Sequence, residues 1–264
     1  YTDNLTLGTK VNDRNRWSLN GQFLFEPSDT MKFKLSVDHS DIDEICCTAA
    51  NVVSGPTAAA IPALGGQLDN ENPFSYNIPY NHDPRETVEN GGISLHSDFE
   101  FDNFSFTSIT AYRELDRANL SDDVDFSGAD LIAPQDNIAT EIETFTQEFR
   151  VSSNSDGSLH WLAGLYYFDE KIDQQGGISF GPQFANYANI LAGGVLPGVE
   201  ALLGFPAGTF HAEGTGVEEY ATQDDKAYSV FGTVDWDINE SLVLTLGMNY
   251  TKDKKDITLT QINT

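Results

Sequence analysis

The feature that most constrains this chain is the alternation between Lys226 and Asp253. Ahead of the turn Asn239-Glu240-Ser241, one face takes Tyr228, Val230, Gly232, Val234 and Trp236, and the other takes Ser229, Phe231, Thr233, Asp235 and Asp237. After the turn, Leu242, Leu244, Leu246, Met248 and Tyr250 share a face opposite Val243, Thr245, Gly247, Asn249 and Thr251. Side chains of a strand point alternately to opposite faces, so this pattern predicts two strands with one greasy and one mostly polar side. The tight turn makes them a hairpin. Arms of about ten residues, tilted by about 40°, span roughly 25 Å, the height of the apolar band of an outer-membrane barrel. Tyr228, Trp236 and Tyr250 lie near the arm ends, which suits rings that are apolar in body and polar at the tip.

The same period of two recurs upstream. Trp17, Leu19, Gly21, Phe23 and Phe25 alternate with polar residues, and after the turn around Pro27 so do Met31, Phe33, Leu35, Val37 and His39. Ile93 to Phe101 and Phe104 to Tyr112 flank Asp102-Asn103. Phe145 to Val151 and Trp161 to Phe168 flank Asn154-Ser155-Asp156-Gly157. The expected fold is all-β: an antiparallel transmembrane β-barrel segment of about eight strands in four hairpins. Turns within hairpins are short. The connections between them, about residues 41–90, 114–140 and 170–225, are long, which matches short periplasmic turns and long extracellular loops. The apolar run Ile190 to Phe205, broken by Gly193, Gly194, Pro197 and Gly198, predicts a short loop helix.

Composition narrows the function. With 14 Lys+Arg against 41 Asp+Glu, the formal charge is −27. Phosphate binding needs a basic footprint, so nucleic acid is excluded as a partner. The surface suits divalent cations or high solubility. Mean hydropathy of −0.33 is compatible with a barrel, whose strands are apolar only at alternate positions. No stretch of 18 uninterrupted apolar residues predicts a membrane helix. The chain begins at Tyr1, without a Met or signal peptide, and ends on the strand-like Gln261-Ile262-Asn263-Thr264.

Candidate chemistry is sparse. Cys46 and Cys47 are adjacent, a candidate disulfide in an oxidising compartment, with free thiols or a bridge to another chain as the alternatives. Asp123-Val124-Asp125-Phe126-Ser127-Gly128 begins like a calcium loop, but Pro134 stands where the bidentate Glu belongs. The histidines, at 39, 82, 96, 160 and 211, show no ligand spacing, so no metal site is expected. No nucleophile–base pair or phosphate-cradling glycine loop stands out, so neither catalytic residues nor a cofactor are expected. Lys32, Lys34, Asp98, Glu100, Glu148, Arg150 and Asp235 fall on polar faces, where they pair across strands or line a solute path. Phe74, Tyr76 and Tyr80 in the first long loop, and Phe180, Phe184 and Tyr187 in the third, are ligand-contact candidates; the alternative is that they pack the loops together.

Six stretches carry a resemblance: Asp13-Arg14-Asn15-Arg16-Trp17, Phe25-Glu26-Pro27-Ser28-Asp29, Thr107 to Arg113, Phe145 to Ser152, Trp161 to Phe168, and the final hairpin with Tyr250 to Lys255. In this order and at hairpin spacing they resemble the barrel domain of TonB-dependent outer-membrane receptors. The resemblance implies a Gram-negative outer-membrane location and uptake of a scarce nutrient such as a ferric siderophore. It also implies coupling to the TonB complex through a plug domain that this chain does not contain. By that comparison the chain is a middle piece of a larger barrel and not an enzyme. Two other architectures fit the alternation: a small closed eight-stranded barrel with a structural or adhesion role, and a soluble β-sandwich such as a carbohydrate-binding module.

Overall fold

The computed structural model describes residues 1–68, 71–121, 123–134, 138–155 and 157–264. Asp156, assigned above to a hairpin turn, lies outside the described residues, as do residues 69–70, 122 and 135–137 of the long connections.

A short hairpin, β1 (Thr2–Asn4) and β2 (Thr9–Val11), opens the chain, and β5 (Asn77–Ile78) joins it in a three-stranded sheet. The remaining strands form one eight-stranded antiparallel sheet. They are β3 (Arg16–Ser28), β4 (Met31–Glu44), β6 (Arg85–Glu100), β7 (Phe104–Leu120), β8 (Ile138–Ser153), β9 (Leu159–Ser179), β10 (Gly216–Asn239) and β11 (Leu242–Asn263). Their order is β11-β10-β9-β8-β7-β6-β4-β3, so the eight strands pair in chain order, with only β5 passed over. The four hairpins stand as the alternation predicts, with all four tight turns at one end of the sheet. Residues 45–84 and the connections after β7 and β9 lie at the other.

Register brings the alternating sets together. Leu35 pairs with Leu95 and Phe23, Phe99 with Phe106, Phe149 with Leu165, and Val230 with both Leu165 and Tyr250. Paired residues share a face, so the apolar positions of all eight strands form one continuous face. Rings run across it in rows. Phe25, Phe33, Phe99, Phe106 and Phe149 follow one another at centroid spacings of 6.3, 5.5, 6.0 and 6.0 Å near the tight turns. A second row nearer the loops contains Trp17 against His39 at 5.0 Å, and Phe145, Tyr167 and Tyr228 at 6.1 and 5.0 Å.

That face is uncovered. Leu19, Phe23, Leu246 and Met248 are 63–71% exposed, and among the described residues no hydrophobic side chain of the large sheet is buried. The buried apolar residues belong to the small sheet and the connections: Val11, Ile78 and Tyr80 in one cluster, Ile61, Ala129 and Leu131 in another. A sheet exposing so much apolar surface on one side fits lipid, not water. The architecture is a wall of a transmembrane β-barrel. It is an open wall, since β3 and β11 lie at opposite edges and each pairs on one side only.

The strands run further than the apolar pattern indicates. β10 has 24 residues, which extends about 80 Å at ~3.4 Å per residue, well beyond the apolar band. The connections are accordingly shorter than expected, 45–84, 121–137 and 180–215 instead of 41–90, 114–140 and 170–225. Past the outer aromatic row both faces meet water, so both carry polar residues and the hydrophobic period disappears while the backbone ladder continues. Pro27 also differs from the expected corner: β3 runs through it to Ser28, at an irregularity between the Phe25–Phe33 and Ser28–Met31 pairs where no ladder N–H is needed. The apolar run of the third connection forms two short helices, α2 (Phe184–Leu191) and α3 (Leu196–Leu202), separated by Gly193 and Gly194 at φ 72° and 83°.

Candidate functional site

The connections beyond the outer row fold against each other. In the first, α1 (Ala60–Ala63) places Ile61 against Ala129 and Leu131 of the second, and Leu64, Phe184 and Tyr187 pack on the same seam. Ile132 forms a β-bridge with Phe180. Gln183 ties all three together: its Oε1 accepts from the Asp130 N–H at 2.7 Å and its Nε2 donates to the Leu64 carbonyl at 3.0 Å.

Two carboxylates organise the middle connection. Asp123 Oδ2 accepts from the N–H of Asn81 at 2.9 Å, and its Oδ1 from the N–H of Phe126 at 3.0 Å. Asp125 accepts from the Ser127 hydroxyl at 2.7 Å and from the N–H groups of Leu131 and Ile132 at 3.2 and 3.0 Å. The acids of the calcium-like motif therefore bond to surrounding backbone N–H groups and to the Ser127 hydroxyl. Burial, with Asp125 close by, pushes the Asp123 carboxyl up to about 7. Glu200 plays a similar part in the third connection, accepting from the N–H groups of Gly208 and Phe210 at 2.7 and 2.6 Å.

The aromatic candidates separate into three situations. Tyr80 is 1% exposed, and its hydroxyl donates to the Ala49 carbonyl at 2.7 Å while accepting from the Ala49 N–H at 2.9 Å. Its ring and hydroxyl are thus held inside the first connection. Phe74 and Tyr76 are 81% and 64% exposed at a 3-10 turn, Pro73–Ser75. Phe180, Phe184 and Tyr187 come together: Phe180 stacks on Phe184 at 4.2 Å, and Tyr187 follows at 6.0 Å. His211 joins them edge-on at 5.0 Å from Phe180 and 5.3 Å from Phe184. Nothing in the sequence pattern singles out His211, because it arrives from an irregular segment at φ 60°.

Cys46 and Cys47 are bonded to each other as a disulfide. They line a cavity of about 150 Å³ with Glu86, Arg117 and Asn119. Sulfur and carboxylate atoms of Cys46, Cys47 and Glu86 lie within 4.8 Å of one another, but sulfurs joined as a disulfide have no thiolate to offer a metal.

Below the connections, the polar face of the sheet carries ion pairs. Arg113 on β7 reaches Asp38 on β4 at 2.9 and 2.8 Å, and Arg117 meets Glu86 at 2.7 Å. Arg16 and Arg14 share the buried carboxylate of Glu44, at 2.6 and 2.9 Å. Lys255 pairs with Asp225. Nearer the tight turns, Lys32 pairs with Glu26 at 3.2 Å and Asp98 accepts from Thr107 at 2.8 Å, while Arg150 contacts Glu148 two residues away on its own strand. A cavity of about 590 Å³ opens on this face between β8 and β11, lined by Ile138, Gln174 to Ile178, Val217, Glu219, Ala221, Leu259 and Gln261.

No family model and no curated protein matches the chain. Among solved structures, the ferric yersiniabactin uptake receptor FyuA from Yersinia pestis is similar with a TM-score of 0.66 at 10% identity, over 98% of this chain and 33% of that one. The siderophore receptor PiuA from Acinetobacter baumannii matches 96% of this chain and 40% of its own at 11% identity, with a TM-score of 0.43. The chain spans about a third of the length of FyuA. At this identity the likeness to FyuA shows the fold alone: part of the wall of a β-barrel.

Proposed function

We propose that the chain is an arc of the barrel of a TonB-dependent receptor, which takes up a scarce nutrient such as a ferric siderophore across a Gram-negative outer membrane. The observation that carries this reading is the continuous, uncovered apolar face between two aromatic rows, on a sheet whose fold matches FyuA over 98% of the chain. Water does not tolerate such a face, and lipid does not tolerate the unpaired backbone of β3 and β11, so further strands complete the wall. The polar face lines the interior. The tight turns face the periplasm and the folded connections face outside, where they meet the ligand. Binding and movement of a solute is the function, without bond chemistry. Coupling to the TonB complex runs through a plug domain supplied by the rest of the receptor.

The two rival architectures fit less well. A closed eight-stranded barrel needs β3 to pair with β11, and these are the two free edges. A soluble sandwich needs a second sheet over the apolar face, which is exposed.

The test is growth on iron-limited medium supplied with ferric siderophores, in cells stripped of other iron receptors. The full protein carrying this segment is expected to restore growth only when TonB is present. TonB-independent growth, or no dependence of uptake on the protein, contradicts the reading.

A further inference from the structure

On its inward face, the outer mouth of this wall carries no unpaired Lys or Arg among the described residues. No Lys or Arg occurs between Lys34 and Arg85, between Arg117 and Arg150, or between Lys171 and Lys226, intervals that contain seven, eight and seven carboxylates. These intervals contain all three long connections. On the polar face of the strands just below them, every cation among the described residues is already paired: Arg16 with Glu44, Arg113 with Asp38, Arg117 with Glu86, and Lys255 with Asp225. Glu219 lines the 590 Å³ cavity, and among the described residues no Lys, Arg or His lines it. Clefts lined by one sign of charge concentrate counter-ions and repel co-ions. Recognition of an anion needs guanidinium or ammonium groups free to clamp it, and among the described residues none is free on this inward face.

The cavity complements that field with apolar surface. Ile138, Ile178, Val217 and Leu259 supply its walls, and Gly176 and Gly177 leave its floor without side chains. A volume of about 590 Å³ is that of a small-molecule site. We propose that the ligand taken at this mouth carries net positive charge on an apolar body, and that it seats in this cavity with its cationic group against Glu219. This rests on the receptor reading above and narrows its ligand class: an anionic ferric complex is a poor fit, and a cationic one a good fit.

The test is equilibrium binding to the full receptor in detergent, read by quenching of intrinsic fluorescence. Four probes are used: a ferric trihydroxamate with a free ammonium group, the same complex with that amine acetylated, a ferric tris-catecholate, and an iron-free aromatic quaternary ammonium. The expected order is the cationic complex tightest and the anionic one weakest. Glu219→Gln is expected to weaken the cationic probes by about tenfold, with little effect on the acetylated complex. Raising salt on the unaltered protein weakens the cationic probes as well. Equal or tighter binding of the tris-catecholate overturns the proposal and leaves the uptake reading standing. Binding of the iron-free ammonium alone supports the charge selectivity and removes iron from the function. No binding of any probe, or Glu219→Gln without effect, overturns the proposal.

Discussion

Arg113 on β7 lies across Gly92 on β6 and grips Asp38 on β4 through two hydrogen bonds of 2.9 and 2.8 Å. The three residues are in register, so the guanidinium passes over the middle strand. Only a glycine permits this: a Cβ at position 92 falls 2.9 Å from Arg113 Cγ and Nη1 and 3.0 Å from the Tyr112 carbonyl. Both partners are partly exposed, which limits the pair itself to about 1 kcal/mol or less. Asp38→Asn is therefore expected to cost little, and Gly92→Val more, about 1–3 kcal/mol, because it also displaces the side chain and crowds backbone. Urea unfolding of the refolded protein in detergent measures both; equal costs would show that the crossing does not matter.

Tyr80 pins the first connection through both polar functions of its hydroxyl. Tyr80→Phe leaves the ring in place and strands the N–H and carbonyl of Ala49. The expected cost is about 1–3 kcal/mol of local stability, seen as faster proteolysis around residues 46–56. An unchanged cleavage rate would mean that the pin is idle.

Asp123 gives the folded connections a pH dependence. Its carboxyl is raised from 3.8 to about 7 by burial and by Asp125. Between those values the folded state holds a proton that the unfolded state has lost, so the junction loses stability as pH rises from 3.8 to about 7 and levels off above. Amide exchange at Asn81 and Phe126, corrected for its intrinsic pH dependence, should show more protection at pH 5 than at pH 8. Asp123→Asn should flatten the difference. Protection that increases with pH contradicts the assignment.

Phe231 covers Gly164 on the interior face, where a Cβ at 164 falls 2.2 Å from the ring. Gly164→Ala forces the ring out of its place and is expected to destabilise by about 1–3 kcal/mol, while Phe231→Leu relieves the clash in the double variant. Additive costs in the double-mutant cycle would refute the contact.

The sequence showed the sheet wherever one face meets lipid. From Trp17 to Phe25 and from Leu242 to Tyr250 the contrast between faces is strong, and those strands and their hairpin turns are where the pattern puts them. It fades at Asp41, Glu114, Glu170 and Asp225, where both faces are wet, and there continuous strand reads as loop. The candidate site was less legible. Alternation says nothing about how three irregular connections dock, so the Ile132–Phe180 bridge, the part of His211 and the committed hydroxyl of Tyr80 appear only in three dimensions. The scarcity of basic residues in the connections is plain in the sequence, yet its meaning depends on knowing that these segments share one end of the wall.

The central claim is that alternate residues of this sheet face lipid. It is tested most directly by placing nitroxide labels one at a time at positions 242–250 of β11 in the full protein reconstituted in vesicles. Collision rates with membrane-soluble oxygen and with a water-soluble nickel chelate are then compared. The account predicts a period of two: labels at 244, 246 and 248 meet oxygen and are shielded from nickel, while those at 245 and 247 are not in lipid. Nickel accessibility at 244, 246 and 248 equal to that of their neighbours would contradict it.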